Sequence, residues 1–223
     1  MTQDDRSTLS RRDAIRLGLG ASAALAFDPM GRFARMGAGA PQARPLIKRA
    51  IPSSGERLPI VGMGTARNYE NPAPDQIPPL REVIKAFPEM GGRVLDTAPS
   101  YGRAESVAGD LMHEIGNRDK YFIATKVSVG GRGGGGGGPV AEVANQSLAH
   151  SLERFHTDHI DLMQVWNLSQ PDALLPVLDE WKAAKKIRYT GVTTSSDQQY
   201  GALEALMNAR KFDFVQIDLA IDN

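Results

Sequence analysis

Cysteine is absent from the 223-residue chain, and neither sign of charge is in excess. Without cysteine, disulfide bonds and thiolate metal sites are excluded, whereas the redox state of the compartment is left open. Lysine plus arginine total 26, and aspartate plus glutamate also total 26. The chain therefore lacks the excess of basic residues that binding to a phosphate backbone requires, and we expect no nucleic-acid partner.

Possible metal ligands are also few. The chain has four histidines. His156 and His159 lie close together at a predicted helix-to-strand turn, but no carboxylate stands at ligand spacing from them, so we predict no metal site. Hydrophobic residues make up 41% of the sequence, which is enough for one substantial core in a globular protein of this length.

The N-terminal region carries paired arginines ahead of a weakly apolar stretch. Arg11 and Arg12 precede a run rich in Gly and Ala, from Leu17 to Phe27, that contains no acidic residue. This pattern resembles a twin-arginine export signal, and the alternative is a disordered tail that contains arginine. The run is shorter than the roughly 20 apolar residues of a stable membrane span, so we predict no such span.

Residues 1–40 are accordingly predicted to form a signal peptide and a disordered leader, and residues 41–223 to form the mature domain. Cleavage is expected after Ala26 or after Ala40. The implied partner is the twin-arginine export machinery, which carries proteins that are already folded. The predicted location is the periplasm.

The mature domain alternates between short apolar runs and segments with helical periodicity. Two short segments around Ser54-Gly55 predict a hairpin, and Ile60 to Thr65 reads as a buried parallel strand. Further apolar runs begin near Val94, Tyr121, Ile160, Ile187 and Phe214, and each of the first four is followed by a helical pattern. Such an alternation predicts a parallel sheet with right-handed crossovers.

Two architectures fit this alternation: an open, doubly wound sheet and a closed barrel. The glycine-rich fingerprint that marks a dinucleotide-binding, doubly wound sheet does not follow the first strand. Polar or aromatic residues instead end nearly every predicted strand, as in a barrel. These residues are Thr65, Asp96, Lys126, Trp166, Thr193 and Gln216. We therefore predict an α/β fold of the (β/α)8 TIM-barrel type, incomplete, with about six of the eight strands of that fold present.

A run of glycines interrupts the pattern after the strand that ends near Val127. Gly133 to Gly138 follow Gly130-Gly131-Arg132. No Gly-Lys-Ser/Thr sequence follows, so the run resembles a phosphate-binding loop only in composition. A mobile active-site loop and a plain linker remain equally compatible with it.

The strongest indication of catalytic chemistry is an acid and a phenol that lie close together in sequence at the end of one predicted strand. Asp96 ends the apolar run Arg93-Val94-Leu95, and Tyr101 follows five residues later, flanked by Ser100 and Gly102. From that position both side chains can point into one pocket. The alternative is a strand-capping aspartate beside an exposed loop tyrosine.

The motifs around this stretch resemble, in their order along the chain, those of the aldo/keto reductase superfamily. They are Gly62-Met63-Gly64-Thr65, Asp96-Thr97-Ala98 with Tyr101-Gly102 and Glu105, Ala124-Thr125-Lys126, Ile160-Asp161-Leu162, Tyr189-Thr190-Gly191-Val192 and Val215-Gln216. The resemblance covers about residues 47–223. It implies an oxidoreductase that transfers hydride from NADPH to an aldehyde or ketone.

The same resemblance assigns roles to individual residues. Tyr101 is implied to be the general acid, Lys126 to lower the pKa of its phenol, and Asp96 to hold Lys126. The implied NADP(H) contacts come from five positions: Thr65, Asp96, Thr193, Thr194 and Gln216. Of these, Thr193 and Thr194 match a Ser-Asn pair, and with Gln216 they are implied to hold the nicotinamide carboxamide.

Two departures from the family pattern define the alternatives. Trp166 stands where the family usually has a fourth catalytic residue, a histidine, and indole offers one N–H donor but no proton exchange. The pattern also stops after a sixth strand, so we expect the chain to be a fragment or a truncated gene product. If the chain is complete, we expect a partner or a second copy to cover the open edges of the sheet. The alternative functions are a non-catalytic or attenuated barrel that binds ligands or partners, and a fragment without function.

Overall fold

The computed structural model describes residues 45–129 and 138–219. The predicted leader, residues 1–40, lies outside the described residues, and so does most of the glycine run. The boundary between leader and mature domain therefore stays a prediction.

The described chain is an antiparallel hairpin followed by a six-stranded parallel sheet whose strands pair in chain order. The hairpin strands are β1 (Lys48–Ala50) and β2 (Arg57–Pro59). The sheet strands are β3 (Met63–Gly64), β4 (Val94–Asp96), β5 (Phe122–Val127), β6 (Ile160–Val165), β7 (Ile187–Thr193) and β8 (Phe214–Gln216). The helices are α1 (Ile77–Glu89), α2 (Ala104–Ile115), α3 (Val140–Arg154), α4 (Pro171–Ala183) and α5 (Tyr200–Ala209). The predicted hairpin and parallel βα order are confirmed.

The central strands β5 and β6 are buried along their whole length. Side chains alternate between the two faces of a strand. Ile123 and Val127 therefore join the core between the sheet and the helices, whereas Phe122 and Ala124 join a second, inner core. Lys126 follows Ala124 by two residues, so the same alternation turns its side chain to the inner face.

The hairpin closes the inner core at the amino ends of the strands. Ile51 and Leu58 of the hairpin pack with Phe122, Leu162 and Tyr189 of the sheet. Polar contacts fix the hairpin in place, since the Tyr189 hydroxyl donates to Glu56 Oε2 at 2.8 Å and lies 2.8 Å from Ser54 Oγ. This core forms the floor beneath the carboxyl ends of the strands.

The first edge strand of the sheet differs from the sequence-based expectation. The sequence predicts a buried strand over Ile60 to Thr65, but β3 contains only Met63 and Gly64, and Ile60 and Val61 are 55% and 54% exposed. The expectation of burial is wrong because, among the described residues, β3 pairs with β4 alone. At the opposite edge Ile217 is also half exposed. None of the helices in residues 45–129 and 138–219 is long and apolar enough to cross a bilayer.

Helices α2 and α3 approach each other closely at Gly109. A Cβ atom at this position would collide with the carbonyl oxygen of Arg154 and would lie 2.9 Å from Phe155 Cα. Both obstacles are backbone atoms, which cannot rotate away. Glycine is therefore required where the end of α3 crosses α2.

We expect Gly109→Ala to lower the free energy of unfolding by about 3 kcal/mol, as overpacking in a core does. Gly201→Ala is the matched control, because Gly201 also lies in a helix and a Cβ there meets nothing within 4 Å. The control should raise stability by about 0.5 kcal/mol, because alanine has the higher helix propensity. Urea denaturation of both variants checks the pair, and equal effects would contradict the close contact.

Candidate active site

A buried ion pair joins the carboxyl ends of two adjacent strands. Asp96 is the last residue of β4, and Lys126 is the penultimate residue of β5. Lys126 Nζ donates to both carboxylate oxygens of Asp96, at 2.9 and 3.0 Å, and to the carbonyl oxygen of Thr97 at 2.8 Å. An ammonium group has three N–H donors, so these contacts use all of them.

The two partners of this ion pair differ in their access to solvent. The Lys126 side chain is 3% exposed and that of Asp96 is 27% exposed. Burial lowers the pKa of Lys126 below its ordinary value, and the carboxylates of Asp96 and, more weakly, Glu105 oppose this shift. The carboxylate of Asp96 thus compensates most directly for the desolvation of the ammonium.

Tyr101 lies in the turn between β4 and α2, beside the ion pair. Its ring is half-buried, and Lys126 Nζ lies 5.3 Å from the ring centroid, within the range of a cation–π contact. Gly102, with a φ of +53°, lets the turn pass close to the carbonyl oxygen of Glu70, which a Cβ at position 102 would approach to 2.8 Å. The turn is fixed further by a hydrogen bond from Arg103 N to Glu70 O, at 2.7 Å.

The resemblance implies that Lys126 lowers the pKa of Tyr101, but the net shift of this pKa in the structure is upward. Burial raises the pKa of the Tyr101 phenol above its ordinary value, and the negative charges of Asp96 and Glu70 add to the shift. Burial of the phenol is the main cause, and the donors of Lys126 are all directed to Asp96 and Thr97. A cation paired in this way offers little net positive charge to the phenol.

Gln216, the last residue of β8, also contacts Asp96. Gln216 Nε2 is 3.4 Å from Asp96 Oδ2, and Gln216 Oε1 accepts a hydrogen bond of 3.2 Å from Gln164 Nε2. Gln164 is 2% exposed and pairs in register with Lys126. Sequence analysis did not single out Gln164, although a glutamine within the apolar strand Ile160–Val165 is a signal of a polar contact inside the sheet.

Thr193 and Thr194 are engaged with the turn that follows β6. Asn167 N donates to Thr193 Oγ1 at 3.0 Å. Thr194 Oγ1 donates to Gln199 Oε1 at 2.6 Å, and Gln199 Nε2 donates to the carbonyl oxygen of Asn167 at 3.1 Å. Both threonines are buried, at 4% and 3% exposure. In this structure their hydroxyl groups hold the turn that carries Trp166.

The turn that carries Trp166 has an unusual backbone. Trp166 is half-buried and begins a tight turn over Trp166–Leu168. Asn167, Leu168 and Gln170 have φ values of 46°, 49° and 44°. A left-handed conformation is costly for a residue such as leucine and persists where surrounding contacts impose it. The bonds from Thr193 and Gln199 are such contacts.

Thr65 supports the end of β4 from the neighbouring edge. Its side chain is completely buried, and its hydroxyl and its backbone N–H both point to the carbonyl oxygen of Asp96, at 3.2 and 3.0 Å. Thr65 therefore lies next to Asp96, as the sequence predicted for residues at adjacent strand ends, but its hydroxyl is directed to the backbone.

A separate cavity lies at the amino ends of the strands, at the other end of the sheet from Asp96 and Lys126. This cavity, of about 490 Å³, is lined by Arg93, Arg118, Asp161 and Arg188, among others. Its charged groups already pair with one another, since Arg188 Nη1 donates to Asp161 Oδ1 at 2.6 Å. This cavity therefore lacks, among its described charged groups, the unpaired proton donor that Tyr101 provides at the carboxyl ends of the strands. Within residues 45–129 and 138–219, no three side chains are grouped as a metal site.

Comparisons with known proteins agree with this geometry. Aldo-keto reductase YhdN from Bacillus subtilis is 36% identical over 139 residues, which are 56% of this chain and 40% of the relative. The chain thus spans less than half of that relative's length. Among solved structures, an aldo-keto reductase from Bacillus halodurans in its holo form has a TM-score of 0.64 at 22% identity, over 78% of this chain and 58% of that one.

A second structure adds a ligand to the comparison. An aldo/keto reductase from Klebsiella pneumoniae, in complex with NADP and acetate, has a TM-score of 0.54 at 25% identity, over 67% of this chain and 50% of that one. These likenesses confirm the predicted fold class: the six parallel strands match strands of (β/α)8 barrels. The sequence profile of the aldo/keto reductase family matches residues 60–221, so the chain belongs to the aldo/keto reductase family.

Proposed function

We propose that the protein is an oxidoreductase that reduces an aldehyde or ketone with NADPH, with Tyr101 as the general acid. The observation that carries the proposal is the juxtaposition of three groups at the ends of β4 and β5. The Asp96 carboxylate holds Lys126 Nζ at 2.9 and 3.0 Å, and the same Nζ lies 5.3 Å from the Tyr101 ring centroid. Membership of the family supports the assignment.

The proposed reaction divides between the cofactor and the chain. When bound, the reduced nicotinamide supplies a hydride to the carbonyl carbon. The carbonyl π electrons move to oxygen, and the Tyr101 hydroxyl donates its proton to that oxygen, which yields the alcohol. The phenolate then regains a proton from solvent. Lys126 and Asp96 keep a compensated pair of charges beside the phenol, in a pocket with limited access to water.

The residues at the strand ends fit the nicotinamide part of such a cofactor. Gln216 offers a primary amide whose nitrogen, among the described residues, makes one long contact, 3.4 Å from Asp96. An amide donor and acceptor are the complement of a carboxamide. Thr193 and Thr194 would contribute less than the resemblance implies, since their hydroxyl groups already bind the turn after β6. The NADP bound by the relative from Klebsiella pneumoniae supports NADP(H) as the cofactor here.

The raised pKa of Tyr101 predicts the pH dependence of the reaction. The acid must carry its proton for reduction, and its pKa lies above the ordinary value of 10.0. We expect kcat/KM for carbonyl reduction to be flat from about pH 6 to about pH 9 and to fall only at higher pH. Oxidation of the alcohol needs the phenolate, so its rate should rise over the same range. A bell-shaped reduction profile centred near neutral pH would contradict this assignment.

A second candidate function is an attenuated barrel that binds a ligand in this pocket with little turnover. The observation that favours it is Trp166, whose indole cannot exchange a proton. We expect Trp166→His to raise the steady-state rate of carbonyl reduction by about tenfold, because imidazole adds a second proton donor near the carbonyl oxygen. Trp166→Phe is the control and should give no gain. A wild-type rate already typical of reductases, and unchanged by the substitution, would remove this candidate.

We also propose that residues 1–40 direct export by the twin-arginine route, and that residues 41–223 act as a barrel domain in the periplasm. The support is the pair Arg11-Arg12 ahead of a weakly apolar run. Cell fractionation of the wild type and of a variant with both arginines changed to lysine tests this proposal. Equal periplasmic amounts of the two proteins would argue against it.

A further inference from the structure

A buried carboxylate, that of Glu105, lies on the helix side of the sheet, directly behind the site. The Glu105 side chain is 2% exposed. Its Oε1 accepts hydrogen bonds from Thr125 Oγ1 at 2.6 Å and Ser151 Oγ at 3.0 Å, and its Oε2 accepts one from Arg154 Nη1 at 2.8 Å. A carboxylate removed from water is tolerated only with such partners, and here they come from β5 and α3.

The close approach of the two helices makes this arrangement possible. Gly109 lies one turn after Glu105 on α2 and touches the backbone of α3 at Arg154 and Phe155. With the end of α3 so near, Arg154 reaches Glu105 while its own side chain stays 34% exposed. The charge of Glu105 is therefore compensated from the helix layer.

The contacts of Glu105 connect the two segments that hold the chemistry. Glu105 is the second residue of α2, four residues after Tyr101. Thr125 is the residue immediately before Lys126 on β5. One carboxylate thus ties the turn that carries the phenol to the strand that carries the ammonium.

We propose that Glu105 is a positioning residue for Tyr101 and Lys126, acting through Thr125 from the opposite face of the sheet. The inference rests on the proposed function of those two residues and deepens it. Glu105 itself does not face the substrate pocket, because Thr125 and Lys126 point to opposite faces of the strand. Its role is to fix the distance between the phenol and the ammonium.

Charge adds to this geometric role. The groups around Lys126 are Asp96 from β4, Tyr101 from the following turn and Glu105 from α2. Four groups surround Glu105 itself: Arg154, Thr125, Ser151 and Lys126. The negative charge of Glu105 raises the pKa of Lys126 against the effect of burial. Loss of that charge should therefore allow Lys126 to release its proton at lower pH.

Two substitutions separate the geometric role from the charge. Glu105→Gln keeps a side chain of the same shape but removes the charge. Thr125→Val keeps the charge of Glu105 and removes one hydrogen bond to it. Thr125→Ser, which retains a hydroxyl group, is the conservative control at the same position. Asp161→Asn is the matched control, because Asp161 is also a buried carboxylate, 5% exposed and paired with Arg188, but lies at the amino end of β6. Each variant is made in the full 223-residue chain.

Two readouts are measured on every variant. The first is kcat and KM for carbonyl reduction with NADPH. The second is the NMR titration of the Lys126 ¹³Cε resonance, assigned by its loss in Lys126→Met, which needs no activity. We expect Glu105→Gln to lower kcat about tenfold or more with little change in KM, and to move the Lys126 titration to lower pH.

Thr125→Val should lower kcat without moving the titration, and Thr125→Ser should recover the rate. Asp161→Asn should lower only the thermal midpoint. The proposal is overturned if Glu105→Gln leaves both readouts unchanged, or if Asp161→Asn reproduces its effects. If the wild type shows no turnover, the proposed function fails and the titration alone decides whether Glu105 acts on Lys126.

Discussion

Tyr101→Phe is expected to abolish carbonyl reduction while leaving the fold intact. The substitution removes only the phenolic oxygen, which makes no hydrogen bond to the part of the chain that the structure describes, so no internal contact is lost with it. Loss of a general acid typically costs about 10²- to 10⁴-fold in rate. Single-turnover measurement of alcohol formation, with NADPH in excess, checks this expectation.

The matched control for this variant is Tyr69→Phe. Tyr69 is 3% exposed, and burial raises the pKa of its phenol to about 12. Its hydroxyl lies 3.9 Å from the sulfur of Met63, a weak contact whose loss should leave the rate unchanged. A Tyr101→Phe variant that still turns over carbonyl compounds, or a Tyr69→Phe variant that does not, would place the acid elsewhere.

Much of the fold follows from patterns that depend only on nearby residues. Alternating apolar runs and helical periodicity predicted the strands from Val94 to Gln216 to within one or two residues, because buried strands and amphipathic helices have different periods. The pairing of Asp96 with Lys126 could also be predicted from position. Parallel neighbours bring their carboxyl ends to one edge, and the two residues end adjacent strands.

The differences arise where a property depends on which elements pack together. Ile60 and Val61 have the composition of a buried strand, but burial requires a neighbour on the outer side of β3, which local sequence does not specify. The net pKa shift of Tyr101 depends on the burial of its ring and on the carboxylates that pack near it, which local sequence does not specify. Whether an ammonium is free or fully paired depends on where its three donors point. The contacts of Gln164 depend on strand register in the same way.

The hydroxyl groups of Thr193 and Thr194 illustrate a further limit. Their positions in the chain suggested contacts to a cofactor, but the structure directs them to Asn167 and Gln199. The sequence contains no sign that the turn after β6 would adopt three left-handed residues and need support. Both uses are compatible for Thr193, because an oxygen that accepts from Asn167 N retains a proton to donate.

Unequal burial of the central ion pair predicts that its two partners respond differently to substitution. Asp96→Asn leaves the Lys126 ammonium, 3% exposed, without the carboxylate that compensates its charge. Leaving a charge buried and unpaired typically costs about 3 kcal/mol or more in the free energy of unfolding. Lys126→Met leaves the Asp96 carboxylate, which is 27% exposed and retains a contact to Gln216. Because water reaches this carboxylate, we expect a loss of only about 1 kcal/mol.

The pH dependence of stability distinguishes an unpaired charge from a simple loss of packing. In Asp96→Asn the pKa of Lys126 in the folded protein should fall further below the ordinary value of 10.5. Between those two values the unfolded chain binds a proton that the folded chain has released, so stability must rise with pH. The double variant Asp96→Asn/Lys126→Met buries no charge and should be more stable than Asp96→Asn alone. Urea denaturation of the three variants at several pH values measures both effects; equal losses without a pH trend would mean that the ammonium is hydrated.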